Sequence, residues 1–174
     1  MLTKKMQDAL NKQVQAELAS AYLYLAMSAS FADMALKGAA HWMRMQMQEE
    51  MIHAMKIYDY IIERDGHVTL MAVDAPPKEW KSALDTFQAA YAHEQKVTGM
   101  INALVDLAIK ESDHATNNML QWFVAEQVEE EASAKEVVDS LQMIGASKEA
   151  LLMLDRELGT RLPPTPPAGG EAAA

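Results

Sequence analysis

Glu50-Met51-Ile52-His53 decides the reading of this chain. A carboxylate and an imidazole three residues apart project from one helical face. Here they interrupt an apolar stripe made by Met43, Met47, Ala54, Ile57 and Ile61. The chain repeats the arrangement 77 positions later: Glu17 is answered by Glu94, Glu50 by Gln127, and His53 by Glu130. Polar groups therefore break four apolar stripes at matching depth. A carboxylate is unstable in an apolar interior unless it is paired or bound to a cation. Glu17, Glu50, His53, Glu94 and Glu130 together read as a metal site.

Outward from that stretch, the apolar period near 3.6 predicts helices. The first runs from about Thr3 to Met34, with Leu10, Val14, Leu18, Ala21, Leu25 and Met27 in line and Thr3 as N-cap. The second runs from about Gly38 to Arg64. The third, from about Glu79 to Lys110, carries Leu84, Phe87, Tyr91, Ile101, Leu104 and Ala108. Ser112 or Asp113 caps the fourth, which ends near Ile144, and Ser147 caps a short fifth ending near Gly159. His67 to Lys78, with Pro76-Pro77, is long for a link between neighbouring helices. Short links within each half and a long one between them predict an all-α four-helix bundle. One crossover makes the second and third helices parallel. The fifth helix, striped by Leu151, Leu154 and Leu158, is not needed to close that bundle and is expected to bury itself against a neighbouring subunit. The reading gives one domain over 1–162 and a disordered Pro/Gly/Ala-rich tail over 163–174.

Composition narrows the function. With 174 residues and 50% hydrophobic content the chain fills one core. No cysteine means no disulfide, thiolate site or iron–sulfur cluster. A net charge of −10 argues against nucleic acid as a partner. No stretch reaches the roughly 20 apolar residues that span a membrane, and Met1 to Asp8 has no apolar run behind it. A cytoplasmic setting fits best.

Oxygen donors with one imidazole suit iron or manganese better than copper, and zinc competes for such a site. Four carboxylates balance two divalent ions, with Glu50 shared. One position takes Glu17, Glu50 and His53; the other takes Glu50, Glu94 and Glu130 and has no nitrogen ligand. Gln127 is a poor ligand and is read as hydrogen-bonding an oxygen species or water. Tyr24, two turns after Glu17, either serves oxygen chemistry by donating an electron or hydrogen-bonding a carboxylate, or simply packs. His41, His67, His93, His114 and Glu131 read as surface.

Glu17 with Tyr24, Glu49-Glu50-Met51-Ile52-His53, Glu94, and Trp122-Phe123-Val124-Ala125-Glu126-Gln127-Val128-Glu129-Glu130 together resemble a bacterial non-haem ferritin, from about Leu2 to Leu162. The resemblance implies a ferritin-like fold, a cage of 24 identical subunits, and Fe²⁺ oxidation by O₂ or peroxide at a di-iron site within each subunit. It also implies storage of a ferric oxyhydroxide mineral inside the cage. It further implies a third iron position formed by Glu49, Glu126 and Glu129 with Glu130; on their own these residues also read as a solvated acidic face. Haem-binding relatives carry a second Glu-x-x-His where this chain has Gln127-x-x-Glu130, so no haem is expected, although Met51 stands beside Glu50. Two rivals stay open: a di-iron oxidase that keeps its metals, and a helical scaffold without chemistry.

Overall fold

In a computed structural model that describes residues 2–165, the apolar stripes form α1 (Lys4–Asp33), α2 (Lys37–Glu63), α3 (Ala83–Lys110), α4 (His114–Ile144) and α5 (Lys148–Leu158). These are all the regular elements among the described residues, and none is long and apolar enough to cross a membrane. The 77-residue shift carries Asp33, the last residue of α1, onto Lys110, the last of α3; it carries Lys37, the first of α2, onto His114, the first of α4. The internal duplication therefore holds at the two hairpin turns.

Local chemistry sets those ends. The hydroxyls of Thr3 and Ser82 and the carboxylate of Asp113 accept from the backbone three residues on, capping α1, α3 and α4. The third helix begins at Ala83 rather than near Glu79, because Ser82 accepts from the Asp85 N–H while Asp85 accepts from the Lys81 N–H at 2.9 Å. This reciprocal cap fixes the start. Ala35, Asp65 and Ser112 take positive φ at the ends of α1, α2 and α3. Each is followed by an N–H that reaches back to a carbonyl five residues earlier, so left-handed residues close these helices although none is glycine.

Two apolar clusters fill the bundle, one toward each end. Tyr24, Phe31, Trp42, Phe87 and Leu141 centre the first; Leu10, Ile57, Ile101, Leu120 and Phe123 centre the second. The first joins the C-terminal half of α1 to the N-terminal halves of α2 and α3, so α2 and α3 run parallel, as the long link predicted. The intervening segment, 64–82, must cross the length of the bundle. It is pinned to α1: the His67 N–H donates to Gln7, Asn11 donates to the His67 carbonyl at 3.0 Å, and the Thr69 N–H donates to Asn11 at 2.7 Å.

Two sequence expectations change, the inward place of Leu18 and Leu25 and the docking of α5. Leu25 is 41% exposed and Leu18 only half-buried. Each lies one residue, about 100°, past Glu17 or Tyr24, which take the inward direction. The leucines of α5 do not wait for another subunit: Leu158 is buried and Leu151 and Leu154 pack on the first cluster of their own bundle. The carboxylate of Asp155 and the small Gly38 make that docking possible, as described below. Of the tail expected over 163–174, positions from 166 on lie outside the described residues.

Candidate metal centre

Between the two apolar clusters lies a polar layer, one group or pair from each long helix. Glu17, Glu50, His53, Glu94, Gln127 and Glu130 are all buried. The donor atoms of Glu17, Glu50 and His53 lie within 4.8 Å of one another. His53 Nδ1 is 3.5 Å from Glu50 Oε2, and the ring is held edge-on by Trp122 and Phe123 at centroid distances of 5.4 and 5.9 Å. Glu17 accepts from Gln13 at 2.8 Å through Oε1, while its Oε2 is buried with no hydrogen-bond partner. An orphaned carboxylate oxygen facing a second carboxylate and an imidazole fits a cation.

Glu94 and Glu130 belong to the same layer but are held by neutral donors. The Tyr24 hydroxyl donates to Glu94 Oε1, and Gln127 Nε2 donates to Glu94 Oε2 at 3.3 Å. Gln46 Nε2 donates to Glu130 at 2.6 Å and to Glu50 at 3.3 Å. The second position predicted from Glu50, Glu94 and Glu130 is not among the metal-sized groups of the described residues; both oxygens of Glu94, Oε1 of Glu50 and Oε2 of Glu130 accept from these donors instead.

Burial pushes the carboxyls of Glu50 and Glu130 well above their ordinary range; the charges of Glu94 and Glu17 add to it at Glu50, and those of Glu50 and Glu94 at Glu130. Glu17 and Glu94 are raised for the same first reason. Tyr24 is raised well above its usual value by burial and then by the Glu94 charge. Without a cation this layer retains protons; with one, it loses them.

A second group forms on the outer side of α2 and α4. Donor atoms of Glu49, His53 and Glu126 lie within 4.8 Å of one another, and His53 belongs to both groups. Glu126 is raised by burial and by the charges of Glu129 and Glu49. Glu129 is exposed, so it stands at the rim of this group rather than in it. Met51 is 39% exposed and points away from the layer.

Three residues read as surface are not: His41 is half-buried, its Nε2 2.9 Å from the Arg161 carbonyl. His93 accepts or donates at 2.8 Å with Ser20, packs edge-on to Tyr24, and is lowered by burial to about 4. Glu131 is half-buried and accepts from Thr98 at 2.6 Å. In each case a partner outside the residue's own helix satisfies the group, which one helix's periodicity does not reveal. Sequence reading also missed Gln13, Gln46 and Arg161. Gln13 and Gln46 each precede a site carboxylate by four residues, a helical spacing that was available as a signal. Arg161 lies past α5, where no periodicity reaches it.

Comparison with known proteins agrees with this geometry. The model of the Ferritin family, a ferritin-like domain, matches residues 7–144. A bacterial non-heme ferritin of Bacteroides fragilis is 42% identical over 92% of this chain and 100% of its own length. One from Escherichia coli O6:H1 is 39% identical over 92% and 97%. A structure described as a novel open-pore ferritin from the hyperthermophilic archaeon Archaeoglobus fulgidus superposes with a TM-score of 0.93 at 53% identity, covering 93% of this chain and all of that one. A form of that ferritin engineered to be closed gives 0.92 at 52%, covering 93% and 99%.

Proposed function

The chain belongs to the ferritin family, and on that premise we propose that it stores iron: each subunit oxidises Fe²⁺ with O₂ or peroxide, and a cage of 24 subunits keeps the ferric oxyhydroxide product. The observation that carries this reading is the buried, partnerless oxygen of Glu17 beside Glu50 and His53.

Iron is the substrate here. Glu17, Glu50 and His53 hold one Fe²⁺; Glu50, Glu94 and Glu130 hold the other, with Glu50 between them. Each ion gives one electron, and O₂ takes both with two protons to become hydrogen peroxide. Carboxylates suit this work because they stabilise Fe³⁺ more than Fe²⁺. The position without a nitrogen ligand binds its ion less firmly, which suits a product that must leave. Gln127 and Tyr24 tune the oxygen chemistry, and their hydrogen bonds to Glu94 place them beside the second position. Glu49, Glu126 and Glu129, with Glu130, serve a third iron, and the proximity of Glu49 and Glu126 to His53 supports that use.

Exposed Tyr22, Met51, Met55 and Ile62 on α1 and α2 give the subunit apolar surface to bury in an assembly. The compartment is the cytoplasm, where Fe²⁺ is kept reduced and cysteine-free chains need no oxidising environment. Residues 1–162 are assigned to the ferritin domain.

The assembled protein, weighed and then given Fe²⁺ in air, is expected to develop ferric absorbance faster than buffer and to retain many iron atoms per particle. Oxidation without retention favours the resident di-iron oxidase. No acceleration over buffer removes the ferroxidase reading.

A further inference from the structure

Arg161 leaves the end of α5 and reaches back to both metal-binding groups. Its guanidinium stacks over Trp42 at 4.3 Å from the ring centre, and its carbonyl is 2.9 Å from His41 Nε2. From this fixed stem Nη2 donates to Glu49 at 2.6 Å, while Nη1 donates to Gln46 Oε1 at 2.7 Å. The second contact has a consequence for the inner layer. With its oxygen taken by arginine, the Gln46 amide presents only N–H groups to Glu130 and Glu50. The first contact has a consequence for the outer group, because it places a permanent positive charge on a carboxylate that lies within metal-binding distance of His53 and Glu126.

We propose that Arg161 is a positioning residue that makes the outer, Glu49-containing position a weak one: an incoming cation must compete with the guanidinium for Glu49, so the outer position passes ions on instead of keeping them. The proposal rests on the ferroxidase reading above and adds the control of its outer position. The fork geometry matters as much as the charge. Lysine is a point donor and does not hold Gln46 and Glu49 in the same orientation.

The test is calorimetric titration of Zn²⁺, a redox-inert probe, into the assembled apo-protein carrying Arg161→Ala or Arg161→Lys. Arg161→Ala is expected to tighten the step that follows filling of the inner pair by about tenfold, the worth of one charge-assisted hydrogen bond. The inner steps should shift less than the outer one, and Arg161→Lys should fall between. In a Glu49→Gln background the tightening should vanish, since the contested ligand is gone. An unchanged or weakened outer step beside normal inner steps overturns the proposal and leaves the ferroxidase reading standing. Loss of inner and outer binding together makes Arg161 a structural strap and overturns it too. Failure of Zn²⁺ to bind the inner pair even in the parent chain ends both readings.

Discussion

Asp155, in the last helix, accepts a hydrogen bond at 2.9 Å from the backbone N–H of Ala39, at the start of α2. No side chain at the N-cap residue Leu36 does this for α2. A buried carboxylate from another helix therefore caps the positive end of α2. Gly38 permits the approach: a Cβ built there would lie 1.5 Å from the Asp155 carbonyl oxygen. Gly38→Ala is expected to push α5 off its seat and cost about 2–4 kcal/mol, because the clash is with backbone and no rotamer change relieves it. Asp155→Ala should cost less, about 1–2 kcal/mol. Thermal unfolding of both variants at one protein concentration checks the order. A Gly38→Ala chain as stable as the parent would refute the docking.

Glu50 lies between the two proposed metal positions and is repelled by Glu94 and Glu17. Glu50→Ala should slow initial Fe²⁺ oxidation at least tenfold, more than loss of any single neighbour, while making the metal-free protein more stable by about 1–3 kcal/mol, since a buried carboxyl crowded by two others is gone. Stopped-flow ferric absorbance and calorimetry read the two effects separately. Undiminished oxidation would remove Glu50 from its shared role.

Tyr24→Phe keeps the ring in the first apolar cluster and deletes the hydroxyl that donates to Glu94. A buried carboxylate then lacks a donor, so the metal-free protein should lose about 1–3 kcal/mol. With both inner sites filled by Zn²⁺ that loss should shrink, because the cation replaces the donor. Equal losses with and without Zn²⁺ would assign Tyr24 to packing alone.

The pH response follows from the direction of the shifts. Glu50 and Glu130 titrate well above the ordinary 4.5 when folded, and Glu17 and Glu94 also above it. The folded apo-protein therefore holds more protons than the unfolded chain above pH 4.5, and its stability falls as pH rises through that window. His93, lowered from 6.5 to about 4, acts in the opposite sense between those values. Four raised acids outweigh one lowered histidine, so the apo-protein should gain stability on acidification from pH 7 toward 5. Zn²⁺ requires the deprotonated layer, so its stabilisation should grow over the same interval as pH rises, and its binding should release protons. Unfolding temperatures from pH 5 to 8, with and without Zn²⁺, and binding heats in buffers of different ionisation enthalpy, test both signs.

Much of this was legible in the residues alone. A helix writes its inward face into sequence every 3.6 positions, so Glu17, Glu50, His53, Glu94, Gln127 and Glu130 announced themselves as breaks in apolar stripes. The 77-residue duplication set the depth of those breaks and the pairing of the hairpins. Caps at Thr3, Asp113 and Ser147 were readable for the same local reason. What periodicity did not carry was whose partner each polar group would find. His93 read as surface and lies against Ser20, 73 positions away.

The amino-acid order by itself thus determined the helices, their parallel middle pair and the layer of acids between them, because each is written in spacings of a few residues. Only the folded chain decided that α5 seats on its own bundle, that Arg161 takes the Gln46 amide oxygen, and that Arg161 holds Glu49. Those contacts join positions 116, 115 and 112 residues apart. Their free energy is gained only after the bundle has closed and brought the ends together, so no local pattern marks them in the sequence.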